Sequence, residues 1–281
     1  MAGTDDSAAD MQRLLQRYHA SPGRTPAMLQ AWKDDAGRTS YEVLAARMTA
    51  LARSTRVLDL ACGDGFLLEM LAGQGFTHLT GVDASREELA AASKRLGSAA
   101  RLHCQDIRAM SLPDPSFDVV VCHMALMLVT PIETVLAEIA RVLVPGGRFI
   151  AVINRALRDL AYEVVRRELH RMTRESGMEP LRSTDPRVFT VEGLTELLRG
   201  QSFAANEMQI EDFCIRTQDS PAAVWSRLQM MYDVFRLPAS AQSVMEQRVL
   251  SGWRPLCNDS GQLTCALGMR IIDCRSASEC R

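Results

Sequence analysis

The sequence predicts an α/β protein: a doubly wound, seven-stranded, mostly parallel sheet with a helical cap. Three observations carry this. From Arg56 onward, short apolar runs alternate with helix-patterned segments. Those runs are nearly continuous in apolar character, as strands covered on both faces are. The stretch RVLDLACGDGFLLEML, residues 56–71, passes from a strand through a glycine turn into a helix. Such a unit sets backbone N–H groups and a helix N-terminus at the C-terminal edge of a parallel sheet.

In chain order, the first 55 or so residues read as helical. AADMQRLLQRYHA places apolar residues on one helical face, and SPGRTP breaks it with Pro and Gly. TSYEVLAARMTALA forms a second helix, with Thr39 and Glu42 as a capping box. Strands follow at RVLDLA, HLTGVD, ARLHCQ, FDVVVCH and GRFIAVI. Between them, Ser85 with Glu88 reads as another capping box. Thr130-Pro131 with Glu133 reads as a third, Pro taking the first helical position. Beyond lie a helix near 155–176, a helix at TVEGLTELLRG, a strand at NEMQIEDFCIRT, and a helical pair from about Ser220 to Gly252. The last strand is QLTCALGMRIIDC. This suggests residues 1–54 as a lid, 55–219 with 260–275 as the core, 220–259 as an inserted cap, and 276–281 as a tail. The terminal CRSASECR reads as unstructured.

With 281 residues, 47% of them hydrophobic, the chain suits one large domain or a domain plus a cap. A net charge of −2 and a pI near 6.2 supply no basic field for nucleic acid or an anionic membrane. No run approaches the roughly 18 apolar residues of a membrane span. The acidic MAGTDDSAAD lacks a signal-peptide pattern, so the chain reads as cytoplasmic. Its eight cysteines form no C-x-x-C pair and have no His at ligand spacing, which predicts free thiols and no metal site.

The glycine turn narrows the ligand. Twenty residues after Gly63, Asp83 closes the second strand, the spacing at which an acid accepts ribose hydroxyls. Together these features predict a nucleoside. A dinucleotide fingerprint would need a third glycine where Leu68 stands, and no Lys-Ser/Thr follows to make a P-loop. Asp59 and Asp64 would repel a diphosphate and attract an ammonium or sulfonium.

Taken in order, VLDLACGDG, GVDAS, CQDI, FDVVVCHMALMLV and LVPGGRFI resemble a class I S-adenosylmethionine-dependent methyltransferase over roughly residues 55–155. Within that group the chain is most similar to the ubiquinone/menaquinone-biosynthesis and malonyl-carrier-protein-methylating type. The resemblance implies a Rossmann-like fold and S-adenosyl-L-methionine as cofactor. It implies that Asp59 and the turn Ala61, Cys62, Gly63 and Gly65 hold the methionine moiety. Asp83 would take the ribose hydroxyls and Ala84 would flank the adenine. Asp106 would accept from the adenine amino group, with Ile107 on the ring; the alternative for Asp106 is a helix cap or surface acid. His123 would line the floor near the sulfonium. Relatives use an N-terminal segment to cover the cofactor and bind its carboxylate, which points to Tyr18, His19 and Arg24. Two departures stand out: Ala61 replaces a common first glycine, and MALMLV replaces a stretch where relatives often carry histidine.

For chemistry the candidates are His123, Asn154 after the fifth strand, and Tyr232. The segment PAAVWSRLQMMYDVF reads either as core or as an apolar acceptor pocket with Tyr232 and Asp233 as polar handles. The resemblance implies methyl transfer (O-, N- or carboxyl) to a small molecule or biosynthetic intermediate, in secondary metabolism. Two alternatives stay open. In one, the cofactor's own amine attacks its γ-carbon, giving azetidine-2-carboxylate and 5′-methylthioadenosine. In the other, the chain is a catalytically silent relative. A small-molecule acceptor is the expected partner, nucleic acid and membrane are not, and monomer and dimer both fit.

Overall fold

The computed structural model describes residues 3–178 and 185–278. Three helices come first: α1 (Gly3–His19), α2 (Arg24–Leu29) and α3 (Ser40–Ala46). A β/α alternation follows: β1 (Arg56–Leu60), α4 (Phe66–Gly73), β2 (His78–Asp83), α5 (Arg86–Leu96), β3 (Ala100–Cys104), β4 (Phe117–His123), α6 (Ile132–Val142) and β5 (Leu143–Arg155). The remainder is α7 (Leu160–Glu175), α8 (Val191–Arg199), β6 (Gln209–Asp219), α9 (Pro221–Leu228), α10 (Tyr232–Phe235), α11 (Ala239–Trp253) and β7 (Leu263–Arg275).

All seven strands join one sheet in the order β3-β2-β1-β4-β5-β7-β6. β1 to β5 pair in parallel, and β7 runs antiparallel to both β5 and β6. The order reverses between β1 and β4, which makes their C-terminal ends the topological switch point of the sheet. Open α/β sheets bind ligands at such a switch point.

Burial on both faces explains the continuous apolar strands. Leu58, Leu60, Val120 and Cys122 face one layer together with Ile139 of α6 and Leu197 of α8. Val57, Val119 and Val121 face the other, together with Leu68 of α4, Val165 of α7 and Trp225 of α9. On that second side Trp32, Trp225 and Trp253 are fully buried, and Trp253 Nε1 donates to the Ala161 carbonyl at 2.8 Å.

Several sequence expectations need correcting. SPGRTP interrupts the N-terminal helices but also starts α2. The second predicted helix stops at Ala46, its Thr39–Glu42 capping box being present. The Ser85 hydroxyl does accept from the Glu88 N–H, but the Glu88 carboxylate turns away to His19 and Gly23, so only half of that box forms. Thr130 caps nothing. The Thr130-Pro131 bond is cis and Pro131 precedes the first helical residue, Ile132. The late helical pair is three helices, α9 to α11. The terminal stretch is partly ordered: Cys274 and Arg275 complete β7, and Ser276 bridges Phe203 and donates to the Val144 carbonyl at 2.8 Å. Residues 279–281 of that stretch lie outside the described residues.

Candidate functional site

The site grows from the turn between β1 and α4. Ala61 (φ 53°), Gly63 (φ 53°) and Gly65 (φ 77°) all take left-handed backbone. Only Gly65 is sterically forced, because a Cβ there would meet Leu96 Cδ1 at 2.8 Å and Ala92 Cβ at 3.1 Å. At Gly63 the nearest atom to an added Cβ is Glu88 Oε2 at 3.8 Å. Ala61 adopts the same conformation with its methyl group, at a cost of roughly 1–2 kcal/mol.

Asp83 fastens this turn. Its Oδ2 accepts from Gly63 N at 2.9 Å and its Oδ1 from Ser85 N at 2.8 Å. Each carboxylate oxygen keeps a further lone pair, so hydroxyl donors can still be accepted.

Four buried carboxylates surround the turn: Asp59, Asp64, Asp83 and Glu88. Three are occupied. Asp64 Oδ2 takes Arg95 Nη2 at 2.6 Å, Asp83 holds the two backbone donors, and Glu88 takes His19 Nδ1 at 2.8 Å and Gly23 N at 3.1 Å. Asp59 Oδ2 is buried and has no hydrogen-bond partner among the described residues. Burial, reinforced by the charge of Asp83, pushes the Asp59 carboxyl well above the usual carboxylate range. An unpaired buried acid of this kind suits a cationic ligand. The donor set therefore fits the ammonium and ribose of S-adenosylmethionine.

The N-terminal residues close over the same side. Tyr18 is buried and its phenol is pushed up to about 12, chiefly by that burial. Its ring lies 4.0 Å from that of Tyr232, at 32°. The Arg24 guanidinium sits 5.4 Å from the Tyr18 ring centroid and 4.8 Å from that of Phe235. Arg24 Nε is buried and has no hydrogen-bond partner among the described residues. The Tyr232 hydroxyl lies 3.1 Å from His19 Nε2.

His123 ends β4, the strand beside β1. Its Nε2 bonds Ser40 Oγ at 2.9 Å, while Nδ1 is buried and unpartnered among the described residues. Burial pushes this imidazole down to about 3, so it is neutral at ordinary pH and a weak base. Cys62 is buried in the turn, and Ile107 packs in the layer of Leu58 and Val120. Ala84 and Asp106 are exposed. Asp106 is held by the Arg108 guanidinium and by the Arg108 backbone N–H, which lowers the Asp106 carboxyl. Asn154 is exposed on β5, opposite Met269.

The structure thus gathers Asp59, Ala61–Gly65 and Asp83 at one turn, with Tyr18 and Tyr232 packed together on the N-terminal side. Sequence reasoning missed Glu88, Ser40 and Tyr41. Glu88 carried only a capping signal; Ser40 and Tyr41 read as ordinary first-turn residues. Among the described residues no group of three or more His, Cys, Asp or Glu is placed to hold a metal, and no helix is long and apolar enough to cross a membrane.

Comparison with known proteins agrees with this geometry. Residues 58–151 match the family model for a methyltransferase domain. That span contains the end of β1, the glycine turn, Asp83, Asp106 and His123. Over that span the chain carries a methyltransferase domain. The chain is 32% identical over 131 residues to an O-methyltransferase of Penicillium expansum, covering 42% of this chain and 48% of that protein. It is 40% identical over 106 residues to the ubiquinone biosynthesis O-methyltransferase of Aeromonas salmonicida, covering 36% and 44%. The matched stretch therefore spans less than half the length of these curated relatives. The YcgJ protein of Bacillus subtilis shares the fold, with a TM-score of 0.59 at 18% identity over 85% of this chain and 99% of that one.

Proposed function

We propose that the chain binds S-adenosylmethionine at the β1–β4 switch point and transfers its methyl group to a small-molecule acceptor. The observation that carries this reading is the buried, unpartnered Asp59 Oδ2 beside the glycine turn. It needs a cation to complete it. When bound, the cofactor supplies a methyl carbon made electrophilic by the adjoining sulfonium charge.

The chain's own residues then hold and orient. Asp59 and the Ala61–Gly65 backbone would take the methionine end, and Asp83 would take the ribose hydroxyls. Asp106 and Ile107 would flank the adenine, with Ala84 beside them. Tyr18 and Arg24, within residues 1–54, would form the lid, and 220–259 the cap. Such enclosure favours in-line attack by excluding water and fixing the nucleophile. His123 contributes a neutral wall hydrogen-bonded to Ser40, not a strong base. This favours an acceptor that arrives with a free lone pair, such as a carboxylate or phenolate.

A second reading is favoured by Asp59 itself. A carboxyl raised by burial, placed where an ammonium would sit, is suited to taking that ammonium's proton. The freed amine could then attack the γ-carbon, the N–C bond forming as the S–C bond breaks and 5′-methylthioadenosine leaves.

Incubation with S-adenosylmethionine alone, followed by mass spectrometry, separates the readings, with Asp83→Ala as control. Methylthioadenosine formed by the wild type but not by the variant would replace methyl transfer with cyclisation. An intact cofactor, converted to S-adenosylhomocysteine once carboxylate or phenol acceptors are added, supports methyl transfer. Failure of calorimetry to detect any cofactor binding would overturn both.

A further inference from the structure

His19 makes two hydrogen bonds that join parts of the chain far apart in sequence. Nδ1 meets Glu88 Oε1 at 2.8 Å, and Nε2 meets the Tyr232 hydroxyl at 3.1 Å. Glu88 belongs to the first turn of α5, His19 ends α1, and Tyr232 opens α10. Glu88 is buried and its second oxygen takes the Gly23 N–H at 3.1 Å, so one carboxylate fixes both ends of the α1–α2 connection. The same oxygen is the atom nearest the space over Gly63.

His19 Nδ1 faces a Glu88 carboxylate oxygen and Nε2 faces the Tyr232 hydroxyl, so one imidazole spans both partners. Tyr232 is thereby turned toward His19, with its ring held against Tyr18 at 4.0 Å. The Tyr18 ring also meets the His19 ring edge-on at 5.1 Å.

We propose that His19 is a positioning residue: through Glu88 and Tyr232 it straps the α10 segment to the glycine-turn side of the core and slows release of the nucleoside ligand. The proposal rests on the cofactor reading given above. The strap's two bonds lie in series, beside a side-chain hydrogen bond between Thr25 and Tyr232, so breaking either link loosens the same segment. Losses at its members are therefore not additive.

The test compares wild type with His19→Phe, Tyr232→Phe and the double variant, each of which keeps an aromatic ring in place. Dissociation of S-adenosylhomocysteine is measured by stopped flow. Each single variant is expected to speed release about three- to tenfold, the worth of one hydrogen bond, and the double variant by less than the product of the two. Unchanged rates, or effects that multiply, overturn the strap. Hydrogen exchange at residues 232–235 in the ligand-free protein provides a readout independent of the cofactor. It should rise in both single variants while the melting transition stays cooperative. Unchanged exchange in His19→Phe overturns the strap even if the ligand binds. A wild type that binds no S-adenosylhomocysteine but shows the exchange difference defeats the cofactor reading and keeps the strap.

Discussion

The Tyr41 ring lies flat on the His123 imidazole, with centroids 3.7 Å apart and 21° between the planes. Ser40, one residue earlier, bonds the same imidazole at 2.9 Å. The first two residues of α3 therefore dry and fix the wall at the end of β4. Charging His123 would bury an uncompensated cation, which is why its pKa falls from 6.5 to about 3. The folded state holds His123 neutral while the unfolded chain protonates it below about 6.5. The contribution of this group to stability is thus complete above that pH and is lost as pH falls toward 3. The loss is up to about 1.4 kcal/mol per pH unit. Urea unfolding of wild type and His123→Gln at several pH values isolates the effect: wild type should lose stability relative to the variant on acidification. Parallel pH profiles would contradict the assignment.

Asp59 should show a conflict between stability and binding. With Oδ2 buried and unpartnered among the described residues, the carboxylate costs folding free energy. Asp59→Asn is expected to leave the ligand-free protein as stable as wild type or about 1 kcal/mol more so. Its affinity for S-adenosylmethionine should fall about ten- to a hundredfold, the worth of a charge-assisted hydrogen bond. The raised Asp59 carboxyl must also ionise to receive the cation, so binding releases a proton and affinity rises with pH until that carboxyl is ionised in the free protein. Calorimetry in buffers of different ionisation enthalpy counts that proton. Equal affinity in wild type and variant would remove Asp59 from the cofactor site.

The Thr39 capping box sets the position of the residues that fix His123. The Thr39 hydroxyl accepts from Glu42 N at 3.1 Å, and the Glu42 carboxylate returns to Thr39 N at 2.6 Å. Thr39→Ala should cost about 1 kcal/mol. It should also loosen Ser40 and Tyr41, so the His123 imidazole, followed by NMR titration, becomes easier to protonate. A loss of stability with no change in the His123 titration would separate the cap from the wall.

The sheet was legible because its inner strands are covered on both faces: RVLDL, FDVVVCH and LGMRIIDC carry apolar residues at successive positions, as at Val57-Leu58, Val119 to Cys122 and Ile271-Ile272. The turn was legible because Gly63, Gly65 and Asp83 follow local rules of backbone and spacing. What escaped depends on contacts remote in sequence. Glu88 sits three residues after Ser85 and reads as its capping partner, yet His19 and Gly23, more than sixty residues earlier, claim its carboxylate. The burial of His123 depends on Ser40 and Tyr41, eighty-three residues away for the hydrogen bond. Asn154, expected to follow the fifth strand, lies within β5 and is exposed, because side-chain direction there is set by register with β7.

Gly63 and Gly65 look equivalent in sequence and should behave differently. Both have positive φ, so alanine at either position meets left-handed strain of roughly 1–2 kcal/mol. At Gly65 the added methyl would also collide with Leu96 and Ala92, at 2.8 and 3.1 Å, forcing α4 away from α5. At Gly63 the methyl makes only an ordinary contact, with Glu88 Oε2 at 3.8 Å. Gly65→Ala should therefore cost about 2–4 kcal/mol in urea unfolding, strain and overpacking together, and Gly63→Ala only about 1–2. The order reverses for ligand. A methyl at Gly63 projects into the space where the turn's amides would meet the cofactor, so Gly63→Ala should weaken S-adenosylmethionine binding more than it weakens folding. Equal effects of the two substitutions on stability would mean that α4 and α5 can part at no cost, contrary to the packing of Leu96 and Ala92 on this turn.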